Sequence, residues 1–398
     1  MPAPARLRSL GALALAVLLS ACGVKLIPAP RPPVVPASAA PATALLAGVA
    51  AGPDIAGLGL EQASAAAALA SFRESCPKLT TRTDASGLTR PADWAPACAA
   101  AAKWPDEAAA SFFPTYLEPV RVGDGGAFVT GYYEPEIPGS RTRQPGFDVP
   151  VYRLPPDLVR AKVGDAPANP NGSQPLGRYD AAGKFVPYYT RAEIEDGALA
   201  GQGLEIGWAA DPVEMFFLQI QGSGRLRAPD GTVLRIGYAG QNGWPYTGIG
   251  GVMRQRGLLG TGPGQYAGSM QGIMQYVREH PEDGKALMRE NKSFVFFREL
   301  TGDGPLGALG VPVRGKSSVA ADPNFVPLGA PVWLDLDRKE ASGLWVAQDT
   351  GGAIKGANRF DSFWGAGDEA RQIAGGMSGR GQAVLLLPKG TLARIKAQ

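Results

Sequence analysis

Glycine and proline set the first limit on this fold. The 398 residues include 54 glycines and 36 prolines, and from residue 127 onward these cut the apolar stretches into short lengths. Neither residue suits the interior of a long helix or a central strand, so the chain reads as many short strands joined by turns. Residues 127–240 are rich in Val, Tyr, Phe, Gly and Pro. The clearest local signal there predicts two strands, 214–226 and 232–238, around the turn Pro229-Asp-Gly231. A second β-rich block spans 293–387, with Val311-Pro-Val313, Val332-Trp-Leu334, Leu344-Trp-Val346 and Ala383–Leu387 as strands and one short helix at 368–374. This pattern favours a barrel over a doubly wound sheet. The other helical signals fall at 58–118, where Pro91 suits a first helical position, and at 247–290, where Met270, Ile273, Met274 and Val277 recur at core spacing.

The first residues point to export. Arg6 and Arg8 precede an apolar segment, Leu10–Leu19, that is too short to span a bilayer and reads as a secretory signal. Leu19-Ser-Ala-Cys22 resembles the lipobox of bacterial lipoproteins, which implies a signal peptide over 1–21 and lipidation of Cys22. A cysteine buried after an ordinary signal peptide is the alternative. Gly23, where aspartate would mark the inner membrane in that pattern, implies an outer-membrane lipoprotein facing the periplasm of a Gram-negative bacterium, stably held by two or three acyl chains. Residues 22–44 form an Ala/Pro-rich tether. In an oxidising periplasm the remaining pair, Cys76 and Cys98, 22 positions apart, is a plausible disulfide; two buried thiols remain open as the other reading.

Composition narrows the chemistry. The single histidine, His280, excludes a multi-histidine zinc site. Its polar setting suits a helix cap, which also removes Ser-His-Asp and Cys-His nucleophile systems. Carboxylate, Lys, Tyr or Ser chemistry remains. Lys and Arg number 39 against 36 Asp and Glu, and no basic run interleaves with aromatics, so no nucleic-acid partner is expected.

Three segments combine polar residues with glycines. Gln348-Asp-Thr-Gly-Gly-Ala-Ile-Lys-Gly-Ala-Asn-Arg-Phe-Asp361 holds two aspartates separated by a flexible stretch carrying Lys355 and Arg359. A strand ending at Asp349 and then a loop would bring both carboxylates to one cleft, although Asp before Gly is also a common turn residue. Asp349-Thr-Gly351 matches the tripeptide of aspartic proteases, but that chemistry needs a second such carboxylate, which only a homodimer could supply. Thr130-Gly-Tyr-Tyr-Glu-Pro-Glu136 and Phe217-Leu-Gln-Ile-Gln-Gly-Ser-Gly224, with Gly240-Gln-Asn-Gly-Trp-Pro-Tyr246, set amides and hydroxyls beside aromatic rings. That combination suits a carbohydrate. The candidate ligands are Tyr132, Tyr133, Gln219, Gln221, Gly222, Ser223, Gln241, Asn242, Tyr246 and Lys355.

Gly131-Tyr-Tyr-Glu-Pro135, Phe217–Arg225, Tyr238-Ala-Gly-Gln-Asn-Gly243, Ser293–Phe297, Leu309–Pro312 and Asp349–Gly356 with Phe360-Asp361 together resemble the membrane-bound lytic murein transglycosylase A family, in order from about residue 60 to the end. The resemblance implies a mainly β fold with helices: a double-psi β-barrel domain (45–134 and 299–398) interrupted by a second β-rich domain (135–298), with a glycan groove between them. It implies Asp361 as the catalytic acid and base and Asp349 in support, although this chain has one residue more between Lys355 and Phe360 than the family pattern. The implied reaction is water-free cleavage of the MurNAc-GlcNAc β-1,4 bond, with no cofactor and no metal. The alternatives are a hydrolytic muramidase pairing Asp361 with Asp349 or Glu134, and a non-catalytic peptidoglycan-binding lipoprotein. Expected partners are peptidoglycan glycan strands, the membrane through the lipid anchor, and cell-wall synthases or amidases, for a monomeric protein.

Overall fold

The computed structural model describes residues 41–170, 172–302 and 304–397. The expected signal peptide, Cys22 and nearly all of the expected tether lie outside the described residues. Among the described residues, regular structure begins at Ala44, where the Thr43 side chain accepts from Leu46 N–H to cap a short helix, Ala44–Ala47.

Three helices follow, at Gln62–Leu79, Pro91–Ala101 and Ala109–Tyr116. The second starts as its sequence suggests: proline stands in the first turn, and the Asp93 carboxylate accepts the Arg90 N–H at 2.8 Å. Proline costs no hydrogen bond there because that N–H would be unpaired anyway. Phe72, Trp94 and Phe112 from the three helices pack together with ring centroids 5.6 and 5.9 Å apart. Cys76 and Cys98 are disulfide-bonded across the first two helices, with Cα atoms 5.5 Å apart.

The strands, in chain order, are β1 (Val49–Ala51), β2 (Leu117–Val122), β3 (Gly126–Glu134), β4 (Glu136–Ser140), β5 (Val149–Tyr152), β6 (Val159–Arg160), β7 (Leu176–Tyr179), β8 (Phe185–Val186), β9 (Glu205–Ala209), β10 (Ser223–Arg227), β11 (Val233–Gln241), β12 (Val295–Glu299), β13 (Ser318–Ala321), β14 (Pro331–Leu336), β15 (Gly343–Asp349), β16 (Arg359–Ala366) and β17 (Ser378–Pro388). Strands β3, β16, β13, β15, β14 and β17 pair in that order, and β17 pairs back onto β3 through Ser378–Gln382. These six strands therefore close into a barrel, with β2 and β1 continuing the sheet from the far end of β17. Closure leaves no open edge between β3 and β17. The barrel strands lie on either side of a long intervening stretch.

That stretch forms a second sheet, ordered β12-β11-β10-β4-β9-β5, and a small sheet of β6, β7 and β8. The second sheet curls until Arg153, just past β5, bridges to Phe297 of β12. Only Pro135 separates β3 of the barrel from β4 of the second sheet. Glu214 of the second region forms an ion pair with Arg371 on the barrel helix Asp368–Gly376, joining the two.

Two expectations are corrected. The turn at 229–231 does join β10 to β11, but residues 212–221 are a helix, Pro212–Gln221, not the first part of that strand. Asp211 accepts from Val213 N–H at 2.7 Å, Pro212 opens the helix, and Gly222 closes it in the left-handed region at φ 80°. A helix buried on most sides is as continuously apolar as a buried strand, so periodicity could not separate them. Val311-Pro-Val313 is no strand: Gly310 sits at φ 79° and only an isolated bridge joins Pro312 to Leu306. His280 links two helices, Met270–Glu279 and Pro281–Glu290, with its ring stacked on Tyr276 at 4.6 Å.

Candidate active site

Strand pairing places Asp361 before any side-chain contact is considered. It lies opposite Thr130 in the parallel pair β3/β16 and opposite Ala320 in the antiparallel pair β13/β16. Ala320 in turn lies opposite Asp349 in the parallel pair β13/β15. Thr130, Asp361, Ala320 and Asp349 thus form one row across four adjacent strands. Two strand spacings put the aspartate backbones about 10 Å apart.

The row depends on a bulge. Val319 pairs with Ala347, yet Ala320 pairs with Asp349, which leaves Gln348 as the extra residue. Such a bulge re-aims the side chains beyond it; in an unbroken strand Asp349 would follow the opposite face. Gln348 is fully buried. Its amide accepts from Ser318 Oγ and donates to Ser71 O at 2.9 Å and Ser75 Oγ at 3.0 Å, so helix Gln62–Leu79 holds the bulge from behind.

Thr130 donates from Oγ1 to Asp361 Oδ1 at 2.5 Å, and the Arg359 guanidinium donates to the same Oγ1 at 2.9 Å. The guanidinium carbon lies 4.9 Å over the Phe128 ring, the strand partner of Arg359. Burial pushes the Asp361 carboxyl from its ordinary 3.8 up to about 6; the Thr130 hydrogen bond and the Arg359 charge oppose this, and the Asp349 charge adds to it. Such a carboxyl holds a proton well above the usual carboxylate range.

Asp349 is bound differently. Its Oδ1 accepts the N–H groups of Ala308 and Thr350, both at 2.8 Å, and its Oδ2 accepts the Tyr132 hydroxyl at 3.0 Å. Burial, the largest influence, raises its pKa above the ordinary 3.8, and these three donors only partly oppose it. Donors aimed at both oxygens hold the carboxyl in one orientation. Tyr132 is held in turn against Phe363, ring centroids 4.8 Å apart, and burial followed by the two aspartate charges keeps its phenol protonated.

A cleft of about 220 Å³ opens beside Thr130, with Tyr133 also on its barrel side and Gln221, Tyr246, Ser269 and Met270 facing them from the second region. Gly131 forms part of this wall because helix Asp368–Gly376 approaches so closely that a Cβ there would stand 2.8 Å from the Ala374 backbone. Tyr246 is close enough to Asp361 for that charge, after burial, to raise its phenol. Burial pushes Tyr133 up to about 12. The cleft thus combines hydroxyls, an amide and apolar rings next to a carboxyl that can carry a proton. Among the described residues, no group of three or more His, Cys, Asp or Glu is placed to hold a metal ion.

Of the sequence candidates, Tyr133, Gln221 and Tyr246 line the cleft, Tyr246 near Asp361, while Tyr132 donates to Asp349. The Gln221 amide also accepts the Tyr133 N–H at 3.0 Å, tying the two walls together. Gln219 and Asn242 are elsewhere, and their reading as substrate ligands is corrected. Gln219 accepts from Arg191 at 2.6 Å and donates to Val295 O at 3.3 Å. Asn242, fully buried, donates to Tyr189 O and Lys292 O and accepts the Phe294 N–H. Both amides are engaged inside the second region. Gly222 shapes a helix end, Ser223 is buried in β10, and Gln241 accepts the Gly243 N–H at 2.6 Å. Lys355 is exposed on the loop between β15 and β16. The sequence reading missed Thr130, Arg359 and Gln348. Period-two alternation could have found the first two, since Thr130 precedes Tyr132, and Arg359 precedes Asp361, by two positions on a strand.

Residues 128–298 match the MltA specific insert domain and residues 317–387 match the 3D domain. Membrane-bound lytic murein transglycosylase A of Vibrio cholerae is 32% identical over 262 residues, covering 63% of this chain and 62% of that protein's length. The chain therefore spans somewhat under two thirds of this curated relative. The crystal structure of MltA from Neisseria gonorrhoeae superposes with a TM-score of 0.69 at 37% identity, covering 85% of this chain and 90% of that one. The crystal structure of Escherichia coli MltA with bound chitohexaose superposes with a TM-score of 0.58 at 27% identity, covering 82% and 90%. With the insert and 3D domains both matched and a solved relative covered almost throughout, the chain belongs to the MltA family.

Proposed function

We propose that the protein is a lytic transglycosylase of peptidoglycan, cleaving the β-1,4 bond from MurNAc to GlcNAc without water and leaving 1,6-anhydro-MurNAc ends. The observation that carries this reading is Asp361, a carboxyl pushed up to about 6 by burial and hydrogen-bonded to Thr130, which lines a cleft together with tyrosines and an amide. Protonated Asp361 gives its proton to the glycosidic oxygen as that bond breaks. The carboxylate then takes the proton of the MurNAc C6 hydroxyl while that oxygen closes on C1, which returns Asp361 to its starting state. Asp349, held by its three donors, plays a supporting role, and in its ionised form favours the positive charge that develops at C1.

A hydrolytic pair needs a second carboxylate as base or nucleophile. Asp349 has both oxygens engaged by three donors, and Glu134, 2% exposed, is paired with Arg225 and Arg235. Both facts favour the single-carboxylate reading. The chitohexaose bound by the E. coli relative supports a glycan as the cleft's occupant. In the same reading Cys22 carries the lipid that holds a monomer on the outer membrane, facing the periplasm, where it meets glycan strands together with wall synthases or amidases.

Digestion of purified sacculi followed by mass spectrometry tests the reaction. The expected products end in 1,6-anhydro-MurNAc, and Asp361→Asn releases none while still sedimenting with sacculi. Products heavier by one water would replace this reading with a muramidase. Sedimentation without any release from the unaltered protein would replace it with a binding protein.

A further inference from the structure

We propose that Arg359 is a positioning residue for Asp361 that acts through the Thr130 hydroxyl, so that the two carboxyl oxygens have different tasks: Oδ1 accepts from Thr130 throughout, and Oδ2 carries the proton exchanged with the sugar. This rests on the single-carboxylate reading given above. A threonine hydroxyl has one hydrogen to give. Arg359 donates to Thr130 Oγ1 at 2.9 Å, which aligns a lone pair with the guanidinium and leaves the hydrogen for Asp361 Oδ1 at 2.5 Å. The order of donors runs from cation to hydroxyl to carboxyl.

The backbone fixes every member of this chain. Thr130 and Asp361 are direct strand partners, Arg359 is two residues before Asp361 on the same strand face, and Phe128, two residues before Thr130, lies under the guanidinium. Thr130 O accepts the Ser362 hydroxyl at 2.9 Å, which anchors the threonine from its other side. Thr130 is also the member that reaches the cleft. A residue that must act first as acid and then as base has to receive its second proton on an oxygen facing the same sugar. Engaging Oδ1 permanently leaves only Oδ2 for both transfers.

The charged and titratable groups around Asp361 are Arg359 on its own strand, Tyr132 on β3, Asp349 on β15, and Tyr246 from the second region, beside the neutral Thr130 hydroxyl. The Thr130 hydrogen bond and the Arg359 charge favour the carboxylate, so loss of either moves the Asp361 titration to higher pH. The basic limb of product release moves with it, because a general acid is lost as it ionises.

Carboxyl carbon NMR on protein labelled at the aspartate side-chain carbon, with the Asp361 signal assigned by its loss in Asp361→Asn, reads this without turnover. Thr130→Val moves the titration up by about one pH unit, Thr130→Ser restores it, and Arg359→Met moves it up as well. In the Thr130→Val background Arg359→Met moves it less than in the unaltered protein. The pH profile of muropeptide release follows the same order. An equal effect of Arg359→Met with and without the Thr130 hydroxyl would mean direct charge action and overturn the relay, as would failure of Thr130→Ser to restore the titration. Where Thr130→Val does not fold, Thr130→Ala removes the same hydroxyl with less bulk. Anhydro product released by Asp361→Asn would instead overturn the reaction itself and leave the NMR result standing.

Discussion

Asp361→Asn should make this protein more stable at neutral pH while removing its chemistry. Burial holds the Asp361 carboxyl near pH 6, against an ordinary 3.8 in the unfolded chain. Between those two values the unfolded state has released its proton and the native state has not, so the native state binds more protons and stability falls as pH rises. The loss begins near pH 4 and is complete a little above pH 6. Two pH units correspond to about 3 kcal/mol, and the residual opening of the site to solvent reduces this to about 2 kcal/mol. The carboxamide reproduces the protonated carboxyl: its oxygen accepts from Thr130 as Oδ1 does, and it cannot ionise. Urea unfolding of both proteins, with the disulfide intact, should therefore give matching stabilities near pH 4. A gap of about 2 kcal/mol in favour of the variant should then open by pH 7.5. Parallel curves across that range, or an unaltered protein that gains on the variant toward neutrality, would refute the claim that burial governs Asp361.

Serine at both Cys76 and Cys98 should cost about 3 kcal/mol by removing a cross-link between two helices, seen as a lower thermal midpoint that reducing agent reproduces in the unaltered protein. Tyr132→Phe takes one donor from Asp349 and should destabilise by about 1–2 kcal/mol, measured by urea unfolding, with slower muropeptide release. Asn242→Ala leaves two carbonyls and one N–H unpaired inside the second region and should cost about 2–4 kcal/mol, with unchanged chitooligosaccharide affinity in the folded fraction by calorimetry. Tyr246→Ala should do the reverse, weakening that affinity about tenfold with little change in stability.

The β-rich character, the helices near 62–79, 91–101 and 270–290, and the turn before β11 were all legible because each has a local cause: proline at a helix start, periodic apolar residues, a turn triplet. Residues 212–221 were misread although their caps, Asp211 and Gly222, stand in the sequence. The apolar residues from Val213 to Ile220 are interrupted only by Glu214 and Gln219, too few polar positions to separate a helical period from a strand's, whereas the caps at Asp211 and Gly222 mark a helix. Of the residues picked out by chemical type, Tyr133, Gln221 and Tyr246 line one cleft, and Tyr132 meets Asp349. Gln219 and Asn242 had the same chemistry but turn inward. Composition cannot tell an amide that binds a ligand from one that ties two loops together, because both need the same donors and acceptors.

Sequence alone determined the inventory of chemistry: one histidine, a paired-aspartate segment rich in glycine, aromatic and amide clusters, and a leader that reads as an export signal. These are properties of residues and their neighbours, and they survive without any fold. Tertiary structure decided which of them act together. Thr130 and Asp361 are 231 positions apart and become neighbours only where β3 pairs with β16, and a single bulged residue, Gln348, turns Asp349 onto their face. The Asp361 carboxyl likewise acquires its raised pKa from burial. Desolvation and the fields of distant charges depend on what surrounds a group in space, and the order of residues along the chain does not contain that.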